Sequence, residues 1–371
     1  MKNYKQQSIL VLEGTPYNRG LIHGETLKQE IHEIIGLWKE NLSNRLKSDI
    51  NKYFKKFYER TDFITTINKW TPGLLDEIKG LSNGSGIDYD TILTFQFLDE
   101  LWLSIEKETL NHCSSMGFNS TNKTPVCIAQ NLDIESFRDN YQIVFHVKNL
   151  ENNLEIFLLS SAGLIGMNGM NSNSIGICCN CLSQLKFNNI GLPVAFVVRG
   201  LLEQQTEADA LNFIKNIKHA SGQNYIVGTQ KNVYDFECST NKVIEFKSKN
   251  ENSSVCHTNH PLVNNDYKLE YKKMDDKSKL SYNLNSNERY KSLKNRSEKI
   301  SQKDRFSEIK NTLMAKDSVT DPICSTIGDG SHSSSWGIFT FASTIMILSE
   351  VPELHVNYAP ADIDNYQILK F

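Results

Sequence analysis

Apolar positions recur at helical spacing through the first part of the chain and cluster at strand spacing after it. Ile31, Ile34, Ile35, Trp38 and Leu42 form one stripe of a helix, and that stripe is a core face. A turn-rich stretch, Glu13-Gly14-Thr15-Pro16-Tyr17-Asn18-Arg19-Gly20, leads into it, and a Lys- and aromatic-rich block, Leu46–Thr61, continues the helical period. Thr71-Pro72 supplies a cap followed by proline at the first helical position, so a helix is predicted over Gly73–Leu81, ending at Asn83-Gly84-Ser85-Gly86. Asp88 or Asp90 then caps a helix Thr91–Leu103.

After residue 112 the pattern changes to short β-rich runs, Val126–Gln130, Gln142–Lys148, Leu154–Ser160 and Ile175–Asn180. One helix interrupts them, where Thr206 caps Ala208, Ala210, Leu211, Ile214 and Ile217. Residues Asn264–Lys310 are charged and Asn/Ser-rich, which predicts loop and surface helix. Trp336–Leu348 is a continuous apolar run, as in a buried strand that turns into its neighbour, and Tyr366–Phe371 is placed to close the sheet. The division is therefore a mostly helical part, 1–112, and a part built of sheets with helices outside, 113–371.

Composition narrows the function classes. A chain of 371 residues with 39% hydrophobic content suits one large domain or two smaller ones, and a net charge of −3 offers no basic face for nucleic acid or an anionic membrane. No run of eighteen apolar residues is present, and the apolar run Ile9–Leu12 is too short for a signal peptide, so a cytoplasmic protein is expected. The eight cysteines are scattered or crowded on one strand, unlike a disulfide scaffold. Cys178-Cys179-x-Cys181 lacks the second ligand pair a zinc site needs, so neither metal nor cofactor is expected.

The candidate chemistry sits at the helical-to-β boundary. Cys113 lies among Asn111, His112, Ser114 and Ser115, with no apolar neighbour, which is poor company for a core thiol although burial is the commonest fate of cysteine. A hairpin beginning at Cys113 and returning near Asp133 brings a carboxylate to the cysteine's level, because antiparallel partners lie about 5 Å apart. Cys113 is thus the candidate nucleophile.

The chain also carries, in order, Arg19-Gly20-x-x-His23-Gly24, then Glu77-Ile78-x-Gly80-Leu81 with Gly84, and Cys113 with Asn131-Leu132-Asp133. Ala162-Gly163-Leu164-Ile165-Gly166, Asn171-Ser172-Asn173-Ser174-Ile175-Gly176 and Gly191-Leu192-Pro193 with Arg199 follow. His257-Thr258-Asn259-His260, Ser286-x-x-Arg289 and Ile323-Cys324 complete the series. With these motifs the sequence resembles the acyl-coenzyme A:6-aminopenicillanic acid acyltransferase family of the N-terminal-nucleophile (Ntn) hydrolases.

That resemblance implies an α+β fold, a four-layer αββα sandwich, made as a precursor that cuts itself between His112 and Cys113. The α chain 1–112 and β chain 113–371 stay associated, and the freed α-amine, with an ordinary pKa of about 7.7–8.0, serves as the base of Cys113. It further implies that Asp133 orients the ammonium, that Asn259 donates to the oxyanion with Asn180 near it, and that Gln130 and Asn131 flank the substrate. Gln130 stands where related amidases carry arginine, which favours the acyltransferase branch. The implied substrate is a small acylated molecule, with water, an amine or an acyl-coenzyme A as the other reactant. Two departures stand out: His112 replaces the family's glycine before the nucleophile, and Gly330-Ser331-His332-Ser333 lacks the arginine expected near the last strands. Two alternatives stay open at this stage: a conventional Cys-His hydrolase using His112, His257 or His260 without cleavage, and an inactive ligand-binding homologue.

Overall fold

The computed structural model describes residues 9–47, 49–105, 112–248, 254–335 and 337–371; Asn111 and Trp336, named above, lie outside them. The chain packs as two compact units, one from segments 1–106, 140–171 and 188–220, the other from 107–139, 172–187 and 221–371. The 112/113 boundary falls inside the first segment of the second unit.

In the first unit, strands Ile9–Glu13, Gln142–Asn149, Leu154–Ser161 and Asn168–Asn171 lie side by side in that order, the first pair parallel and the others antiparallel. The stripe Ile31, Ile34, Ile35, Trp38, Leu42 is buried on helix Lys28–Leu46, as its spacing predicts. Helices Pro16–Thr26 and Gly73–Ser85 cross at four glycines. A Cβ on Gly20 would sit 1.8 Å from Glu77 O, and one on Gly80 2.0 Å from Tyr17 O; Gly24 and Gly84 face each other's backbones similarly. Only hydrogen fits there, so the two backbones touch.

That contact aligns a buried charge network. Glu77 accepts from Arg19 Nε at 3.2 Å and from Arg199 Nη1 and Nη2 at 2.5 and 2.9 Å, and Arg199 also donates to Ile165 O. His23 Nε2 accepts from Gly163 N–H at 3.0 Å, so the ring is neutral at that nitrogen, and burial lowers its pKa to about 3. The stretches around Arg19, His23, Glu77, Gly163 and Arg199 thus meet as one buried, paired network.

The second unit stacks two antiparallel sheets. One runs Ser254–His257, Ser114–Phe118, Val126–Glu135, Ile338–Leu348, Glu353–Tyr358, Gln367–Lys370; the other Gly176–Cys181, Gln223–Gly228, Val233–Cys238, Val243–Phe246. Gly117 lets the sheets approach, since a Cβ there would meet Val233 Cγ1 at 2.6 Å, and Gly228 does so against Leu348 and Ile128. On the other face, Met116, Phe118, Ala129 and Ile345 pack against Leu293, Ile309 and Leu313 of helices Leu284–Ser297 and Arg305–Leu313. The class is α+β, with both β layers and the helices packed on them.

Several boundaries move. Helix Gly73–Ser85 runs past the predicted stop to a left-handed Gly86, and Thr91–Leu103 divides into Tyr89–Phe95, capped by Asp88, and Leu98–Ile105. The stretch 264–310 is more helical and more buried than its composition predicts, with Arg289 fully buried. No described helix is long and apolar enough to cross a membrane.

Candidate active site

Cys113 directly precedes strand Ser114–Phe118, which pairs with Val126–Glu135 in the register Ser114 to Asn131 and Ser115 to Gln130. The predicted hairpin therefore forms, and Cys113 Sγ lies 3.8 Å from Asp133 O. Side chains alternate along the hairpin. Ser115 and Gln130 turn toward the four-stranded sheet, where Gln130 Nε2 donates to Cys179 O and to Asn180 Oδ1. Ser114 and Asn131 turn toward the helices.

On that helical side lies Arg289, 0% exposed. Its guanidinium donates to Cys113 O at 2.6 Å, Ser114 Oγ at 2.9 Å and Asn259 Oδ1 at 2.9 Å, while Nε donates to Asn285 Oδ1. Arginine only donates, so the Asn259 amide must present its oxygen to Arg289 and its nitrogen elsewhere. Asn259 Nδ2 gives one hydrogen to Cys181 O at 3.1 Å and has a second to give. Burial lowers the Arg289 pKa to about 10, which leaves the group charged at neutral pH.

Asp133 is fully buried, and among the described residues no hydrogen bond of good geometry reaches either carboxylate oxygen. Burial pushes its pKa up to about 7 against the pull of the Arg289 charge and of the Thr340 hydroxyl on the neighbouring strand. A buried, unpaired acceptor of this kind is costly and calls for a donor.

The other expected residues are engaged differently. Asn180 Nδ2 donates to Ser115 Oγ at 2.6 Å and Asn224 Oδ1 at 3.0 Å, which occupies both amide hydrogens. Asn131 holds the Leu313 and Ile323 carbonyls and accepts from Ser343 Oγ, so its side chain serves the helix layer. His112 is buried with Nδ1 2.5 Å from Ser333 Oγ, and burial holds its pKa well below the ordinary value. Both nitrogens of His257 are taken, by Glu237 Oε1 and Thr258 O, so neither is available to a thiol.

Sequence reasoning noted Ser286-x-x-Arg289 as a motif but gave Arg289 no role. The spacing carries no clear sequence signal: Ser286, Arg289, Leu293 and Ser297 are buried on one helix face, but three of the four are polar. Among the described residues no group of three or more His, Cys, Asp or Glu is disposed to hold a metal ion.

The sequence profile of the family described as acyl-coenzyme A:6-aminopenicillanic acid acyl-transferase matches residues 119–338, a stretch holding Asp133, Asn180, Asn259 and Arg289. The chain is 26% identical over 243 residues to Protein dcd1A of Dictyostelium discoideum, covering 56% of this chain and 53% of that one. It therefore spans about half the length of that relative. It is 23% identical over 254 residues to the 40 kDa form of acyl-coenzyme A:6-aminopenicillanic-acid-acyltransferase of Emericella nidulans, covering 68% and 69% of the two chains. A solved structure of penicillin V acylase from Agrobacterium tumefaciens aligns with a TM-score of 0.47 at 13% identity, over 70% of this chain and 86% of that one. With more than half of its length matched by the profile, the chain belongs to the acyl-coenzyme A:6-aminopenicillanic acid acyl-transferase family.

Proposed function

We propose that the protein is a self-processing Ntn amidohydrolase or acyltransferase that cleaves an amide or thioester of a small acylated substrate through a Cys113 thioester. The observation that carries this reading is the buried guanidinium of Arg289, which ties Cys113 O to the Asn259 amide beside the unpaired Asp133 carboxylate.

In the precursor, Cys113 Sγ attacks the His112 carbonyl carbon; the C–S bond forms, the peptide C–N bond breaks, and the thiol proton ends on the new α-amine. Water then releases His112 as a carboxylate. An amide nitrogen is not basic, whereas the α-amine has an ordinary pKa of about 7.7–8.0 and takes the thiol proton in later turnovers. Asp133 accepts from the resulting ammonium, which supplies the donor its buried oxygens lack.

With a substrate amide, the thiolate adds to the carbonyl carbon and the second hydrogen of Asn259 Nδ2 meets the oxyanion. The ammonium returns its proton to the leaving amine as the C–N bond breaks, leaving the acyl group on sulfur. Water or another nucleophile, an amine or a coenzyme A thiol, then takes it. Asn180, with both hydrogens committed, acts by holding Ser115 and Gln130 and not as an oxyanion donor in this arrangement.

Intact-mass measurement of purified protein tests the reading. Wild type is expected as two fragments split before Cys113, with Cys113→Ala a single chain; a wild-type protein that is active as one chain overturns it.

A further inference from the structure

Strand Val233–Cys238 points two acids the same way, since residues two apart on a strand share a face. Asp235 is 1% and Glu237 0% exposed, and neither enters the chemistry above. The Glu237 line reaches Thr258, next to Asn259, and the Asp235 line passes through Asn224 and Asn180 to Ser115.

Glu237 grips the chain on both sides of Asn259. Its Oε1 accepts from His257 Nε2 at 2.9 Å and from Leu262 N–H at 2.5 Å, and its Oε2 from Val263 N–H at 3.0 Å and Asn264 N–H at 2.6 Å. His257 Nδ1 in turn lies 2.7 Å from Thr258 O. Both ring nitrogens face groups that only accept, so the ring holds both protons and pairs with Glu237 as an imidazolium. One carboxylate thus pins residues 257–264 at two ends, with Asn259 between.

Asp235 sets a direction. Asn224 Nδ2 donates to Asp235 Oδ1, Asn224 Oδ1 accepts from Asn180 Nδ2 at 3.0 Å, and Asn180 Nδ2 reaches Ser115 Oγ at 2.6 Å. Asn180 and Asn224, and Asn224 and Glu237, are register partners across the sheet. Burial raises the Asp235 carboxyl to about 7, and the direction follows from the geometry: its Oδ1 accepts from the nitrogen of Asn224, which leaves the oxygen of Asn224 toward Asn180 and the nitrogen of Asn180 toward the cysteine-bearing hairpin.

We propose that Asp235 and Glu237 are positioning residues for acyl transfer: Glu237 fixes the loop that presents Asn259, and Asp235 fixes the sense of the Asn224–Asn180 relay behind Ser115. This rests on the Cys113 reading above. Glutamine at 237 keeps the shape but turns a donor toward backbone N–H groups, which displaces the loop.

The test is 4-nitrophenyl acetate turnover by the processed enzyme. Glu237→Gln should lower kcat about tenfold with KM within about twofold, and should cost less than about twofold in an Asn259→Ala background, because residues acting through one another are not additive. Equal losses in both backgrounds, or none in the first, overturn the proposal. If Glu237→Gln fails to fold, Asp235→Asn against Asn180→Ala gives the same cycle on the other arm; failure of both to fold marks a purely structural pair and also overturns it. An additive cycle with turnover that still needs Cys113 overturns the positioning alone, whereas Cys113→Ala releasing 4-nitrophenolate as fast as wild type overturns the acyl-transfer reading and the proposal with it.

Discussion

Asp133 and Arg289 show why single residues here cannot be weighed by charge alone. The Arg289 charge lowers the pKa of Asp133, yet burial outweighs it and leaves the carboxyl near 7. A carboxyl raised in the folded state binds more protons than in the unfolded chain between the ordinary carboxylate range and about 7, so its share of stability falls as pH rises through that window. In the uncut Cys113→Ala chain, Asp133→Asn should therefore gain on its parent between pH 4 and 7. The gap is expected to widen by about 1–4 kcal/mol in urea unfolding, at about 1.4 kcal/mol per unit; a gap that does not change with pH contradicts the burial of an unpaired carboxylate. Arg289→Met removes four hydrogen bonds at once and frees the Asn259 amide to turn. It should lower the rate of self-cleavage at least about 100-fold, on the scale of losing an oxyanion donor, as followed by the appearance of the two fragments on a denaturing gel; near-wild-type cleavage would remove Arg289 from the site.

At the level of elements, helix Pro16–Thr26 and helix Gly73–Ser85 make a sharp pair of predictions. Gly80→Ala pushes a methyl group against the Tyr17 carbonyl, and backbone cannot yield as a side chain would. A loss of about 3 kcal/mol or more is expected. Gly36, inside helix Lys28–Leu46, has nothing within 4 Å of where a Cβ would stand, so Gly36→Ala should stabilise by about 0.5–1 kcal/mol. Urea midpoints separate the two, and similar effects at both sites would deny the backbone contact. The same scale shows what was legible. The Ile31–Leu42 stripe was readable because a period-3.6 pattern is a local property, and the hairpin at Cys113 because β-rich runs follow an abrupt change in composition there. The helix bearing Arg289 was not, because its buried face is Ser286, Arg289, Leu293 and Ser297, three polar residues in four, which reads as surface. Asn131, expected near substrate, faces the helices because alternation carries it to the side opposite Gln130. Asp235 and Glu237 carry no local mark at all; their partners follow from strand register, which composition does not encode.

For the molecule as a whole, the decisive fact is how the segments interleave: the first unit takes 1–106 from before the proposed cut and 140–171 and 188–220 from after it. Strand Ile9–Glu13 pairs in parallel with residues 144–148, and Glu77 grips Arg199, so both sides of the cut share one sheet and one ion network. The two fragments should co-elute under native conditions and part only in denaturant. The parallel strand pair has a further consequence. Before the cut, joining Ile9–Glu13 to its partner is closure of a loop within one chain, at a modest entropic cost that grows slowly with length; after it, the same step is an encounter between two molecules. Recovery from urea should be independent of protein concentration for Cys113→Ala and should fall with dilution for the processed protein, as read by far-UV circular dichroism. A processed molecule is then kept intact by its barrier to unfolding, and assembly becomes an event its chain performs once.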